Sequence, residues 1–270
     1  MKRPGMSLAK EYQFSMSKNL RYAILLFILL FVAVNEAVLK MRSTSWERPL
    51  RVHIYAVSGD ARGASEAYVD RLTTKHFKPI ETFMSREAKR YGISMQPIKV
   101  EYHGRLESHP PQPPSGRSVL ENMWWSLRFR AWAWYRSWSS DNDHSDVELF
   151  VAYYDTATST SLRHSVGLQG GLIGIINAFA DKSYRGSNQV VIIHELMHTL
   201  GATDKYEQSN MPAYPEGYAE PYRDPLYPQR KAEIMGGRIP LSAQQSKMPE
   251  KLGEVVVGVY TATEINWPVE

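Results

Sequence analysis

The chain has 270 residues, no cysteine and a formal net charge of +4, with 32 basic and 28 acidic side chains. Residues 1–21 hold five of the basic and one of the acidic side chains, so the remainder carries 27 of each and is neutral. A neutral domain has no excess of positive charge to attract a nucleic acid, and a chain without cysteine has no disulfide, thiol nucleophile or cysteine-bound metal. We therefore expect no nucleic-acid partner.

An apolar segment follows the basic residues. Residues 22–34 read YAILLFILLFVAV, and the extension to residue 39 makes 18 residues, about 27 Å of helix at 1.5 Å per residue. Basic residues ahead of such a run predict an uncleaved signal anchor at 22–39. Tail 1–21 would lie in the cytoplasm, and the domain after linker 40–48 would lie in the periplasm or outside the cell. A cleaved signal, giving a secreted form, and a buried core helix are the alternatives.

The first half of the domain shows alternating strand and helix patterns. Pro79 should kink or split the first helix of the domain, and Gly92 should end it. The predicted elements are a strand at 50–57, a helix at 64–91, a strand at 96–103 and a helix at 117–139.

The helix predicted at 117–139 contains five of the seven tryptophans. Residues at helical spacing predict its core-facing stripe, which would consist of Leu120, Met123, Leu127, Ala131 and either Trp134 or Trp138. Trp125, Phe129 and Trp132 would then point elsewhere. The alternatives are that this helix rests on a membrane surface or lines a substrate groove.

The second half of the domain contains further strands and helices. The pattern predicts a strand at 147–154, one or two strands within 169–180, a helix at 188–200 entered at Ser187 or Asn188, an irregular stretch at 203–240 and a short helix with a capping box at 261–264. This mixture predicts an α+β fold, with a twisted mixed sheet and packed helices.

The stretch HELMHTLGATDKY, residues 194–206, carries the most specific chemistry. His194 and His198 are four residues apart, so on a helix both imidazoles lie on one face and can hold one metal ion. Glu195 would lie beside that metal, where it can take a proton from an activated water. The alternative is an ordinary helix with two surface or packed histidines.

A turn after the motif would bring in a third ligand. Gly201 comes three residues after His198, where a left-handed residue can end the helix, and Asp204 comes three residues later. A sharp turn at Gly201 would swing the Asp204 carboxylate back to the metal, giving the donor set of a catalytic Zn²⁺ site. A more distant glutamate is the alternative third ligand: Glu207, Glu216, Glu220 or Glu233.

The pattern His194-Glu195-x-x-His198-x-x-Gly201-x-x-Asp204 resembles the motif H-E-x-x-H-x-x-G-x-x-H of the metzincin zinc metallopeptidases. Asp replaces the last histidine in a minority of that family, such as the snapalysins. The resemblance implies a zincin fold with one catalytic zinc ion.

The same resemblance implies an arrangement for the rest of the domain. An N-terminal catalytic lobe would cover residues 49–202, and a small irregular lobe would cover 203–270. A methionine-containing turn would lie beneath the zinc, and Met235 is the candidate for this structural floor of the site. An edge strand within 170–179 would bind an extended peptide by strand addition.

The sequence departs from the family in its tyrosines. No tyrosine closely follows Met235, so the extra tyrosine ligand of some metzincins has no counterpart here. Support for a developing oxyanion could come from any of Tyr206, Tyr214, Tyr218, Tyr222 and Tyr227.

These observations predict a membrane-anchored, zinc-dependent endopeptidase that acts on peptide or protein substrates with Glu195 as general base. The alternative is a non-catalytic module that uses the same fold to bind zinc or a partner. Glu195 distinguishes the two, because a binding module needs no general base.

Overall fold

The computed structural model of the protein describes residues 17–114, 116, 118–139, 144–207 and 209–269. The helices are α1 (Lys18–Ser43), α2 (Gly63–Val69), α3 (Thr74–Arg90), α4 (Val119–Ser139), α5 (Arg185–Thr199) and α6 (Val259–Glu264). The longer strands are β1 (Leu50–Ser58), β2 (Ile98–Arg105), β3 (Val147–Tyr154), β4 (Val166–Leu168) and β5 (Ile173–Phe179). Two-residue strands follow: β6 (Ala232–Glu233), β7 (Ile239–Pro240), β8 (Ser246–Lys247) and β9 (Val255–Val256).

Helix α1 covers the predicted anchor, 22–39, and continues past both of its ends. In the ranges that the structure describes, no helix is both long enough and apolar enough to cross a membrane. Most of the predicted cytoplasmic tail, residues 1–16, lies outside the described residues. The chain divides into two compact units between Val38 and Leu39.

The second unit is built on a five-stranded sheet in the order β2-β1-β3-β5-β4. Strands β2, β1, β3 and β5 are mutually parallel, whereas β4 runs antiparallel to β5. The predicted strands at 50–57, 96–103 and 147–154 correspond to β1, β2 and β3 with bounds within two residues. The α+β class with a mixed sheet is therefore confirmed.

Two hydrophobic clusters cover the two faces of this sheet. Val52 and Ile54 of β1 belong to the larger cluster, which also contains residues of α3 and α5. Tyr55 and Val57 of the same strand belong to the smaller cluster, together with Phe129 of α4. Because successive side chains point to opposite faces, β1 is buried on both sides.

The helix predicted at 64–91 is divided, but not at its proline. The break lies between α2 and α3, at residues 70–73, and Pro79 lies inside α3. The start of α3 is fixed by a capping box in which the backbone N–H of Thr73 donates to Nδ1 of His76 over 3.0 Å. Gly92 has a φ of +76° just beyond α3, so its predicted terminating role is confirmed.

Helix α4 presents the opposite face to the one predicted. Trp125 and Phe129 are buried, and the rings of Phe129 and Trp132 pack edge-on against Phe150 of β3. The residues of the predicted stripe that the structure describes are exposed: Leu120, Met123, Leu127, Ala131 and Trp134. The side chain of Trp138 lies outside the described residues. Residue spacing predicted the wrong face because apolar residues occupy both faces of α4. The face that carries Phe129 and Trp132 is the buried one, because its aromatic rings pack against Phe150.

The chain after α5 is largely irregular, as predicted. The capping box expected at 261–264 is wrong, because α6 begins earlier, after Gly258, and the hydroxyl of Thr261 donates instead to Glu233 over 2.8 Å. Ile234 and Met235 belong to the same buried cluster as Val52 and the residues of α5. The division into lobes at residue 202 stays a prediction.

Candidate metal centre

Helix α5 carries His194, Glu195 and His198, as the sequence predicts. It begins at Arg185, one turn earlier than expected, so Asn188 is not its cap. The Asn188 amide instead bonds both backbone groups of Phe179 at the end of β5, at 3.1 and 2.9 Å. This contact ties α5 to the sheet and fixes the position of the motif.

Each histidine of the motif is oriented by a backbone carbonyl. The Nδ1–H of His194 donates to Ile234, and that of His198 donates to Ala202, both over 2.9 Å. These bonds select the tautomer that leaves both Nε2 lone pairs for a metal, an arrangement typical of metal-ligating histidines. The rings of His194 and His198 are nearly perpendicular, with centroids 4.8 Å apart.

Gly201 reverses the chain after α5. Its φ is +102°, and the backbone N–H groups of Gly201 and Ala202 donate to the carbonyls of His198 and Met197 over 3.1 and 3.0 Å. This pair of bonds is a Schellman motif, which favours glycine at the left-handed position. The predicted turn is therefore present, and it returns the chain toward the histidines.

Asp204 lies where the turn was expected to deliver it. Its Oδ1 is 3.2 Å from Nε2 of His194 and 3.1 Å from Nε2 of His198. Tetrahedral zinc ligands bonded at about 2.0–2.1 Å have donor atoms about 3.3 Å apart, so these three atoms are spaced to share one ion. Among the described residues, Asp204 is the carboxylate that joins His194 and His198 in such a group.

The three donor groups also influence one another's ionisation. Burial opposes the charge of Asp204, but hydrogen bonds from both histidines hold the pKa of this carboxyl well below its usual range. Burial likewise opposes protonation of His194, yet its hydrogen bond to Asp204 leaves the pKa raised. One cation shared by the three groups would take the place of the hydrogen bonds between the histidine Nε2 atoms and the Asp204 carboxylate. Two imidazoles with one carboxylate suit Zn²⁺. The residues present therefore fit a zinc ion.

Glu195 points its carboxylate into the same region without being a member of the donor group. The residue is 5% exposed, and its Oε2 has no hydrogen-bond partner although it is buried. Burial raises the pKa of Glu195, an effect opposed by the two neighbouring histidines and by the backbone N–H of Gly167. A buried carboxylate oxygen without a hydrogen-bond partner is costly, and carboxyl groups with shifted pKa values cluster at functional sites.

Strand β4 packs directly against the motif, through a residue that the sequence did not single out. A side chain at Gly167 would collide with the carbonyl oxygen of Glu195 and would lie 2.8 Å from Cβ of His198. The edge strand beside the motif is β4, Val166–Leu168, whereas most of 170–179 belongs to the interior strand β5. The predicted position of the edge strand is therefore wrong. A glycine inside a strand pattern signals such a close approach.

The turn around Met235 is buried and tied to the motif. Met235 is fully buried, and its carbonyl accepts a 3.0 Å bond from the backbone N–H of Lys205. The carboxylate of Glu233 accepts bonds from the backbone N–H groups of Met235, Gly236 and Gly258, over 2.6, 2.9 and 2.9 Å. The Thr261 hydroxyl is a fourth donor to this carboxylate. Because both oxygens of Glu233 already accept hydrogen bonds from the turn and its neighbours, Glu233 is unsuited to be the third metal ligand.

Of the five tyrosines considered for oxyanion support, the structure brings Tyr206 to the centre. Its ring lies 6.3 Å from that of His194, and its hydroxyl bonds Asp204, although burial is the larger reason that its pKa is raised to about 12. Tyr214 and Tyr227 each pack on Tyr218, and Tyr222 is 85% exposed.

None of the models of protein families matches the sequence. A search of curated proteins likewise finds no match.

Proposed function

We propose that the protein is a zinc-dependent endopeptidase, similar to the metzincins that use Asp as third ligand. The observation that carries the proposal is the convergence of the donor atoms of His194, His198 and Asp204 beside the buried carboxylate of Glu195, whose Oε2 has no hydrogen-bond partner. Those four groups are the parts that metal-assisted hydrolysis of a peptide bond requires.

The roles of the residues follow from their surroundings. His194, His198 and Asp204 would hold the zinc, which when bound lowers the pKa of a coordinated water and polarises a substrate carbonyl. Glu195 would accept a proton at Oε2, which is buried without a hydrogen-bond partner, and deliver it to the leaving amine. Burial raises the pKa of this carboxyl, which favours its holding the proton between the two steps. Tyr206 would hold the Asp204 carboxylate in position.

The edge strand offers a way to bind the substrate. β4 ends the sheet and contacts α5 at the motif. An extended peptide can pair with such an edge by backbone hydrogen bonds, which would lay its scissile bond beside Glu195.

The floor formed by Met235 and the zincin-like arrangement of the domain belong to the same proposal. Export of the domain across a membrane is a separate prediction from the charge pattern of residues 1–39.

The decisive experiment compares the full-length protein with a Glu195→Gln variant. Both should retain zinc, because Glu195 is not a ligand, and only the wild type should cleave an unstructured protein such as casein, as followed by mass spectrometry of the products. Equal zinc with no cleavage by either protein would refute the enzyme and favour the non-catalytic binding module.

A further inference from the structure

A second group of metal-binding side chains lies on strands β1 and β2, away from the motif. His53 of β1 is paired in register with Glu101 of β2. His103 follows two residues after Glu101, so its side chain lies on the same face of the sheet. Oε2 of Glu101 is 3.9 Å from Nε2 of His53 and 3.7 Å from Nε2 of His103.

A local irregularity of β2 brings His103 over His53. Between Ile54 and Ala56 of β1, the register on β2 advances from Tyr102 to Arg105, so β2 contains one extra residue. Gly104 at this bulge has a φ of +86°. Bulges re-aim the side chains beside them, and here the His103 ring stacks on His53 with centroids 3.8 Å apart and an angle of 24°.

The geometry points to a second site for a divalent transition-metal ion of the zinc class, held by His53, Glu101 and His103. Two imidazoles and one carboxylate are again the donors, and their ligand atoms lie within 4.8 Å of one another. A shared ion would bring the donor atoms to about 3.3 Å apart, so Oε2 of Glu101 has to approach His53 as well as His103. Both residues of β2 have room for this movement, because their side chains are 25% and 27% exposed and β2 is an edge strand.

The surroundings of the second site leave the required oxygen in place. Lys99 contacts the other carboxylate oxygen of Glu101, Oε1, over 2.5 Å. This lysine keeps Glu101 ionised and orients Oε2 toward the histidines. His53 is 1% exposed and is held within the sheet. It therefore supplies a fixed nitrogen donor, toward which the side chains of Glu101 and His103 can move.

An ion here would join the edge strand to its neighbour and would act on stability. It is remote in sequence from residues 194–204 and shares no ligand with them. We expect zinc to raise the melting temperature of the protein even when the first site is destroyed, because a ligand that binds only the folded state stabilises it.

The test measures zinc bound per chain after equilibrium dialysis at a buffered free zinc concentration, using the full chain. Wild type should bind two ions, a His194→Ala/His198→Ala variant one, and the same variant with His103→Ala none. Glu101→Gln should lower the affinity of the second site by at least about 10-fold, and His144→Ala, an exposed histidine outside the group, should change nothing.

The two metal proposals fail in distinguishable ways. One ion in the wild type that survives His103→Ala but is lost with His194→Ala/His198→Ala would overturn the second site and leave the first intact. One ion that survives the loss of His194 and His198 but not that of His103 would support the second site and remove the first. A zinc-induced rise in melting temperature that persists in the triple variant would also contradict the second site.

Discussion

The imidazole of His194 donates its Nδ1 hydrogen to the carbonyl oxygen of Ile234, 2.9 Å away and 40 residues later in the chain. The bond connects the metal-binding helix to the buried turn that contains Met235. The contact between this turn and the metal ligand His194 is made by the backbone carbonyl of Ile234, and the thioether of Met235 takes no part in it. The shape of the turn therefore decides the orientation of His194.

Glu233 maintains that shape, so Glu233→Gln should weaken both the fold and metal binding. Whichever way the amide is turned, its NH₂ group would face backbone N–H donors that now reach a carboxylate. Leaving such groups unpaired costs about 1–3 kcal/mol for each buried group. Chemical denaturation would measure the loss of stability, with Glu250→Gln, at an exposed position, as the control. An unchanged stability and zinc affinity would contradict this role.

Gly167→Ala should lower activity by displacing the motif helix or β4. The new methyl group would overlap the carbonyl of Glu195 and approach Cβ of His198, and overpacking of this kind costs about 1–3 kcal/mol. Gly63→Ala is the matched control, because its added Cβ meets nothing within 4 Å. Denaturation midpoints and kcat/KM for a peptide would be compared, and equal values for the two variants would exclude the tight contact.

Gly201→Ala should destabilise the domain and weaken zinc binding. An alanine at a left-handed position costs about 1–2 kcal/mol, and its Cβ would lie 2.6 Å from Nε2 of Gln169. Gly92→Ala separates the two effects, because its φ is also positive but its surroundings are open. Both variants should lose stability, whereas zinc affinity should fall only for Gly201→Ala. A fall in zinc affinity for both variants would show that general destabilisation, rather than displacement of the metal ligands, causes the loss.

The pH dependence of cleavage should show an acidic limb set by Glu195. Burial raises the pKa of this carboxyl above its ordinary value of 4.5, and only the ionised form accepts a proton. The value of kcat/KM should therefore fall as the pH decreases through a pKa above 4.5. A limb that begins only below 4.5 would indicate that Glu195 is not the group that titrates.

The metal-binding residues could be predicted from sequence because their geometry is local. Four-residue spacing on a helix and a left-handed glycine three residues later fix the directions of His194, His198 and Asp204 within one helix and one turn. The buried face of α4 could not be predicted, because apolar side chains surround that helix and the choice depended on Phe150, a residue of another element.

Contacts between distant parts of the chain account for the other differences. Gly167 was missed because its importance arises from the approach of β4 to α5, which spacing along the chain does not encode. Glu233 is a plausible metal ligand from the sequence alone, because spacing along the chain does not show the four hydrogen-bond donors that occupy its carboxylate. These donors come from two separate segments, at residues 235–236 and 258–261. The group of His53, Glu101 and His103 likewise depends on the register of two strands and on a bulge between them.

The most direct test of the central claim is the zinc content of the wild type and of Asp204→Ala, both full length, after dialysis at the same buffered free zinc concentration. The variant should hold one zinc ion fewer per chain than the wild type, since it keeps only two of the three ligands at the first site. An equal zinc content in the two proteins would contradict the assignment of Asp204 as a ligand and with it the proposed catalytic centre.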